Sequence, residues 1–336
     1  MSAARPHHPT VSVVMPVLNE AAYLPTALER LAAQTYPADE VEIVIVDGGS
    51  TDDTLDIAAR AAAADSRIRV LGGPGVNCPA GMNLGIAATR GRYVAKVDGH
   101  GYPEREFLER AVARLEADAT LGCVGGRIVP LGDGEVQEAN RIARFSVLGV
   151  GRGVYTLDAR EQLVDTVQCG VYRREALDAV GGFDPALQFG EDEELNYRVR
   201  QAGFGILFDP RIEFRYWIRP TVHSLFRQYR NYGLARVRVV RKHPAFFSPK
   251  HAAPAAAVGA LGIATAGLLV GPRAVRGIST LAIGGYLAAI GLGAAWLAIR
   301  HRFGRPDLIA ASLAALHLGY GIGTLRGLWQ WLRERP

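Results

Sequence analysis

Tyr93-Val-Ala-Lys-Val-Asp98-Gly-His100 decides how the rest of the chain is read. Tyr93 to Asp98 reads as a buried strand, and the stretch ends on a carboxylate and an imidazole two positions apart. In an extended chain, residues i and i+2 point to the same face. Asp98 and His100 can therefore reach one cation at the open end of the strand, where a hard cation would neutralise a diphosphate. Asp98-Gly99 is equally a turn that closes a strand, so the stretch alone leaves both readings open. Lys96 lies on the same alternating face and reads either as a phosphate contact or as a solvated or core-edge lysine.

Upstream, strands and helices alternate. Val11 to Pro16 is a short β-branched run followed by the loop Pro16-Val-Leu-Asn-Glu20, and Ala21 to Gln34 carries apolar residues at helical spacing. Val41 to Asp47 is a second buried strand, and Gly48-Gly-Ser-Thr-Asp-Asp-Thr54 supplies a tight turn and capping residues for a helix reaching about Ala64. A short strand over Arg67 to Leu71 and a helix over Gly81 to Ala88 lead into Tyr93. This alternation implies a doubly wound, mostly parallel α/β sheet, with ligands beyond the carboxyl ends of its strands. The loops that start at Pro16, Asp47 and Asp98 all lie at such ends. A dinucleotide-binding sheet would need G-x-G-x-x-G directly after the first strand, where this chain has PVLNE. A nucleotidyltransferase would want a Gly-rich basic loop at that place.

Downstream, Phe107, Ala111, Val112 and Leu115 fit one helix face, and Cys123 to Pro130 reads as a strand. Gly149, Gly151 and Gly153 around Arg152 form a basic loop that either closes over an acceptor or is ordinary surface. Arg173 to Val180 is amphipathic and stops at Gly181-Gly-Phe-Asp184. Gly190-Glu-Asp-Glu-Glu-Leu195 opens a helix that runs to Gly203, and Ile206 to Phe208 and Ile212 to Tyr216 read as two closing strands.

Composition bounds the class. Hydrophobic residues make up 49% of 336, formal net charge is +5, and charged residues nearly vanish in long runs after about position 250. No zinc finger, RNA-binding aromatic signature or basic zipper points to nucleic acid; the late arginines beside apolar runs suit anionic lipid or phosphate. Three separate cysteines, Cys78, Cys123 and Cys169, imply neither a disulfide framework nor a metal-binding pair.

Taken in order, VSVVMPVLNE, VEIVIVDGGSTDDT, Asp98-x-His100, GGFD at 181–184 and GEDEEL at 190–195 resemble glycosyltransferase family 2 over about residues 10 to 240. The form VDGH, where D-x-D is commoner, is similar to the succinoglycan-type bacterial glucosyltransferases, which also carry C-terminal membrane spans. The resemblance implies a GT-A fold and an inverting transfer from a nucleotide sugar, with UDP as the expected carrier. It implies that Pro16, Asn19 and Glu20 hold base and ribose, and that Asp47 reads the uracil edge; an acceptor-only carboxylate suits a ring N–H, although Asp47 is also a natural turn residue. Asp98 and His100 match the metal pair, with Mg²⁺ or Mn²⁺ as cofactor; the imidazole shifts the preference toward Mn²⁺. Gly170 and Glu191 are expected near the donor, and Asp192 is expected to be the general base. One base and one metal are the minimum for inverting transfer. Glu191 to Glu194 also suit the first turn of a helix through its dipole, and a helix N-terminus keeps a base ionised.

The expected organisation is a polar tail over 1–10, a GT-A domain over 11–216, amphipathic membrane-interface helices over 217–250, membrane helices over 251–326 and a tail over 327–336. Val222, Leu225, Phe226 and Tyr229 share a face of a basic helix of the kind that lies at a membrane surface. His223 there reads as a surface residue, with a metal or phosphate role as its alternative. Gln228-Tyr-Arg230 resembles only distantly the Q-x-x-R-W segment of processive relatives, and the tryptophan is missing. Residues 252–271, 277–299 and 308–325 are each long enough to cross a hydrocarbon core of roughly 30 Å. With the catalytic domain cytoplasmic at the cell membrane, three spans put Arg326, Arg333 and Arg335 outside, against the positive-inside rule. Trp329 and Trp331 at an interface, or a re-entrant segment, are the alternatives. The expected acceptor is a polyprenyl-linked saccharide; a polyprenyl phosphate is the near alternative. An inactive sugar-nucleotide scaffold is the remote one, disfavoured because Asp98, His100 and Asp192 are all present. Sequence leaves the sugar, the linkage and the oligomeric state open.

Overall fold

The computed structural model describes residues 9–149 and 160–334. They form two compact units: one holds residues 9–131 and 160–217, and the other holds residues 132–149 and 218–334. The second unit therefore recruits residues 132–149, which the sequence reading assigns to the catalytic domain.

The first unit is built on a nine-stranded sheet. Strands β1 (Val11–Val17), β2 (Val41–Asp47), β3 (Ile68–Gly72) and β4 (Tyr93–Lys96) lie side by side in the order β3-β2-β1-β4, all parallel. Helices α1 (Leu24–Ala32), α2 (Thr54–Ala64) and α3 (Cys78–Ala87) make the crossovers. Beyond β4 the order continues through β8 (Val171–Arg173), β6 (Leu121–Leu131), β9 (Gly205–Trp217) and β5 (Gly101–Pro103), while β7 (Gln162–Leu163) pairs with β9. In this half β8 and β5 run antiparallel to their neighbours, and only β6 with β9 is parallel. Helices α4 (Phe107–Ala117), α6 (Arg174–Val180) and α7 (Glu191–Gln201) complete the unit.

Strand alternation divides the core. Val11, Val13, Met15, Tyr93 and Ala95 pack with Leu24, Leu31, Phe107 and Leu115 on one face. Val14 and Val94 pack with Met82, Leu177, Phe183 and Leu195 on the other. Helix α3 lies flush on β1 because Gly85 leaves no side chain where a Cβ would strike the Val14 methyl groups. Asn77 caps α3, its side chain accepting the Ala80 N–H at 3.1 Å, so this helix starts three residues before the expected Gly81.

Other boundaries also differ. Pro16 lies within β1, and α1 starts at Leu24 after a turn. The two expected closing strands are one continuous β9, bulged where β6 passes from Gly126 to Arg127. Strand β4 ends at Lys96, so Asp98 and His100 sit on the turn beyond the ladder, not on its last extended residues. Of the expected glycine-rich basic loop, Gly151, Arg152 and Gly153 lie outside the described residues.

The second unit is helical: α5 (Glu135–Arg144), α8 (Val222–Lys242), α9 (Pro249–Val270), α10 (Arg273–His301) and α11 (Pro306–Arg333). Its core joins Ala139, Ile142, Leu225, Tyr229, Leu297, Leu313 and Leu316. A full capping box, Thr221 with Ser224, starts α8. Helices α9, α10 and α11 are each long and apolar enough to cross a membrane. They occupy the expected places, except that α11 runs on to Arg333, past the expected end at 325.

Candidate active site

The loops after β1 and β2 are sewn together. The Asn19 side chain accepts the Thr51 N–H at 2.8 Å, and the Asn19 N–H donates to the Ser50 hydroxyl at 2.9 Å. The next two amides donate to Thr54 Oγ1 at 2.7 Å (from Glu20) and to Asp52 at 3.2 Å (from Ala21). Asn19 takes φ 56°, a left-handed conformation that asparagine tolerates better than most residues. Asp47 is buried at the end of β2, and its carboxylate accepts the Gly49 N–H at 3.0 Å and the Ser50 N–H at 3.1 Å. It thus shapes this loop as a turn residue does, while a carboxylate retains acceptor positions for a ligand. Pro16 stands behind the loop, where a Cβ on Gly81 of α3 would come within 3.3 Å of its own Cβ.

The turn Asp98-Gly99-His100 presses against the end of β1: a Cβ on Gly99 would meet Val17 at 2.9 Å and Glu20 at 3.0 Å. His100 Nδ1 pairs with Glu20 Oε1 at 2.9 Å. Burial pulls the imidazole pKa down, but the Glu20 hydrogen bond, with Tyr216 and Asp98 nearby, outweighs it and the net position is about 9. Asp98 takes a weak contact at 3.6 Å from the Cys169 thiol. Among the described residues no three His, Cys, Asp or Glu side chains are grouped to hold a metal. The donor set nevertheless fits a cation that draws its remaining ligands from a diphosphate. Asp98 would supply oxygen and His100 nitrogen, and Glu20 stands where a carboxylate commonly braces the other nitrogen of a metal-ligating histidine.

For Lys96, sequence reasoning leaves open a phosphate contact and a solvated or core-edge position, and the structure excludes the second. Lys96 is neither solvated nor at the core edge: its side chain is 1% exposed. Its Nζ lies 2.7 Å from Asp192 Oδ1, 3.1 Å from Glu191 Oε1 and 3.8 Å from Asp98 Oδ1. The parity of β4 explains this. Val94 belongs to the core face carrying α7, so Lys96, two residues on, points at the first turn of that helix. Phe183 flanks the ammonium, 5.8 Å from ring centroid to Nζ. Burial opposes the charge on Lys96, but the three carboxylates hold its pKa well above the ordinary lysine value.

Glu191 and Asp192 open α7 after Gly190, which takes φ 75°. Burial raises the Asp192 pKa, Lys96 opposes that, and Glu191 and Asp98 add to it; the net position is about 7. A carboxylate poised there exchanges protons near neutral pH, as a general base requires. The helix is fixed from behind. Buried Glu194 pairs with Arg198 at 2.7 Å, and Arg198 donates to the Val180 and Gly182 carbonyls at 2.6 and 2.8 Å. The GGFD turn is thereby tied to the helix that carries Glu191 and Asp192. Gly170 lies beside β4, its carbonyl accepting the Lys96 N–H at 3.1 Å. A Cβ there would come within 2.5 Å of Cys123 Sγ, so its lack of a side chain serves packing.

A sheet whose parallel strands open their carboxyl ends onto a sewn double loop, an Asp-x-His turn and a helix-borne carboxylate defines the GT-A class of nucleotide-sugar transferase folds. Solved structures agree. A mannosyltransferase from Pyrobaculum calidifontis, in complex with GDP-mannose and Mn²⁺, matches with TM-score 0.62 at 22% identity, over 97% of this chain and 88% of its own. The GalNAc-T7 structure with UDP, GalNAc and Mn²⁺ matches with TM-score 0.51 at 20% identity, over 70% of this chain and 48% of its own. The chain belongs to glycosyl transferase family 2, whose profile matches residues 12–181. The succinoglycan biosynthesis protein ExoA of Rhizobium meliloti (strain 1021) is 31% identical over 326 residues, 96% of each chain. A Methanococcus voltae enzyme named as a dolichyl N-acetyl-alpha-D-glucosaminyl phosphate glucuronosyltransferase is 27% identical over 240 residues, 69% of this chain and 74% of its own.

Proposed function

We propose that this chain is a membrane-anchored, inverting, divalent-metal-dependent glycosyltransferase. It takes a sugar from a UDP-linked donor and passes it to a hydroxyl of a lipid-linked saccharide at the cytoplasmic face of the cell membrane. The observation that carries this reading is the Asp192 carboxylate, raised to about 7 at the mouth of α7 and held 2.7 Å from Lys96, beside Asp98.

Pro16, Asn19, Glu20 and Asp47 bind the nucleotide in this scheme. Asp98 and His100 hold Mg²⁺ or Mn²⁺, with Mn²⁺ favoured by the imidazole; when bound, the cation neutralises charge on the departing diphosphate. Asp192 removes the acceptor hydroxyl proton as that oxygen attacks C1, so one displacement inverts the anomeric centre. The proton rests on Asp192, and the nucleoside diphosphate leaves with the bonding pair. Support for a lipid-borne acceptor comes from the three apolar helices and from the Methanococcus relative, whose name specifies a dolichyl-phosphate-linked sugar. Support for cell-surface polysaccharide as the end product comes from the succinoglycan relative.

Membranes containing the protein, incubated with radiolabelled nucleotide sugars and extracted lipid, test this. Label is expected in the organic phase from a UDP-sugar, dependent on divalent metal. The same assay separates a saccharide acceptor from a bare polyprenyl phosphate. Transfer from no nucleotide sugar into any lipid fraction would overturn the reading.

A further inference from the structure

The three apolar helices differ in what covers them. In the most apolar windows of α9 and α10, 11% and 17% of residues are buried, against 50% in α11. One of the helices that cover α11 is rich in charge. Helix α8 carries Arg227, Arg230, Arg236, Arg238, Arg241 and Lys242 and no acidic residue.

The two helices run parallel and in register. A Cβ on Gly319 would come within 2.7 Å of the Phe226 carbonyl oxygen, and one on Gly323 would strike the Arg230 carbonyl oxygen. Gly327 faces Val237 at 2.9 Å, and Glu334 forms an ion pair with Arg241. From Phe226 to Arg241 and from Gly319 to Glu334 is the same fifteen-residue step, so contact persists over about 22 Å. The earlier half of α11 is covered by α5 and the residues after it, and by Ile290, Ala294 and Leu297 near the end of α10. Ser312 donates to buried Asn140 at 2.8 Å, Arg305 pairs with Glu135 at 2.6 Å, and the His317 ring meets the Leu148 carbonyl at 2.6 Å.

Both covering segments are tied to the sheet by short links. Residues 132–134 join β6 to α5, and 218–221 join β9 to α8. At 3.3–3.6 Å per residue, neither link spans a bilayer, and an in-membrane α8 would carry its six cations into hydrocarbon, which is expensive. Helix α11 is fastened along its length to segments that stay on the catalytic side.

We propose that α9 and α10 alone cross the membrane, and that α11 lies with α5 and α8 as a platform on the bilayer surface of the catalytic side. The chain's end then shares that side. Exposed Ile322, Leu325, Trp329 and Leu332 form one helical stripe on α11 that enters the headgroup region, and Arg333 stacks over Trp329 at 4.0 Å. Charge placement agrees with positive-inside. Arg300, Arg302, Arg305, Arg326 and Arg333 all fall on the catalytic side, and only Arg273 and Arg276, next to the α9–α10 turn, fall opposite.

The test uses full-length protein in bacterial inner-membrane vesicles, with an N-terminal epitope to mark the catalytic side. A second epitope follows Pro336 in one version and is inserted between Gly271 and Pro272 in another. In inverted vesicles, protease is expected to remove the N-terminal and C-terminal epitopes and spare the one at the turn; right-side-out vesicles should give the converse. A C-terminal epitope removed together with the turn epitope overturns the proposal, as does a turn epitope removed together with the N-terminal one. Cysteines introduced as R241C and E334C are expected to cross-link in intact membranes, and their failure to do so would remove the packing on which the proposal rests. None of these readouts depends on transfer activity, so they stand or fall separately from the proposed reaction.

Discussion

Lys96→Met removes the cation that pairs with Asp192, Glu191 and Asp98 while keeping an unbranched side chain. Two unit charges 4 Å apart attract by about 4 kcal/mol at an effective dielectric of about 20. Lys96 is 1% exposed and its separation from Asp192 is 2.7 Å, so screening is limited. Halving that attraction to allow for the solvent-facing side of the carboxylates leaves about 2 kcal/mol. At about 1.4 kcal/mol per tenfold change, the acid dissociation constant of Asp192 falls roughly 30-fold. Because the wild-type carboxyl already sits at about 7, it is half ionised at neutral pH, where the ionised fraction falls by about 15-fold; the full factor is approached at lower pH. The assay is kcat for transfer from a radiolabelled donor at saturation, measured from pH 6 to 9. The variant should lose on the order of 15-fold at pH 7, approach about 30-fold at pH 6 and recover as pH rises; Lys96→Arg, which keeps the charge, should retain most activity. Stability follows the same sign. An acid whose folded pKa lies above its unfolded value contributes stability below the unfolded pKa and loses it as pH rises through the folded one. The Met variant should therefore melt lower than wild type, and the deficit should widen with pH. An unchanged kcat and pH profile would refute the reasoning. A raised donor KM at constant kcat would show that Lys96 serves the diphosphate instead of the base.

Asp192→Asn should lower kcat by about 10²- to 10⁴-fold with UDP affinity by calorimetry unchanged; retained turnover would remove it as the base. Glu20→Gln should weaken Mn²⁺-dependent UDP binding by about 10- to 100-fold, the usual effect of losing the brace behind a ligating histidine, and His100→Ala should weaken it further; a metal titration in the presence of UDP measures both. Gly323→Ala should lower the thermal unfolding temperature in detergent, since the new methyl collides with the Arg230 carbonyl and overpacking costs about 1–3 kcal/mol; an unshifted transition would argue that α8 and α11 do not touch.

The parallel half of the sheet was legible because β-branched runs such as Val41 to Asp47 are buried on both faces and follow one another at crossover spacing. The end of β4 was not. Val97 continues the apolar pattern and is fully buried, but the ladder with β1 stops at Lys96, and Gly99 must turn to fit against Val17 and Glu20. Apolar periodicity reports burial and not pairing. Helix α5 is not legible because it has few apolar residues; Ala139, Ile142 and Ala143 find their partners more than 80 residues away, on helices that local patterning cannot bring near. The motif residues were readable as a set, whereas their side-chain partners were not. Nothing in PVLNE announces that Glu20 turns to His100. Lys96 did leave a signal: a lone cation at the even positions of a strand whose Val94 faces the core has only buried space to point into.

The seam between the first two loops has a thermodynamic consequence. Thr54 and Asp52 hold the backbone from which the Glu20 carboxylate reaches His100. In the proposed scheme, anything that tightens this seam by filling the nucleotide side would also steady the imidazole on the metal side. Linkage then requires reciprocity: if UDP multiplies the affinity for cation by some factor, the cation multiplies the affinity for UDP by that same factor. Donor and metal would enter as one cooperative ligand, and the sugar carrier would be held loosely until its counter-ion arrived.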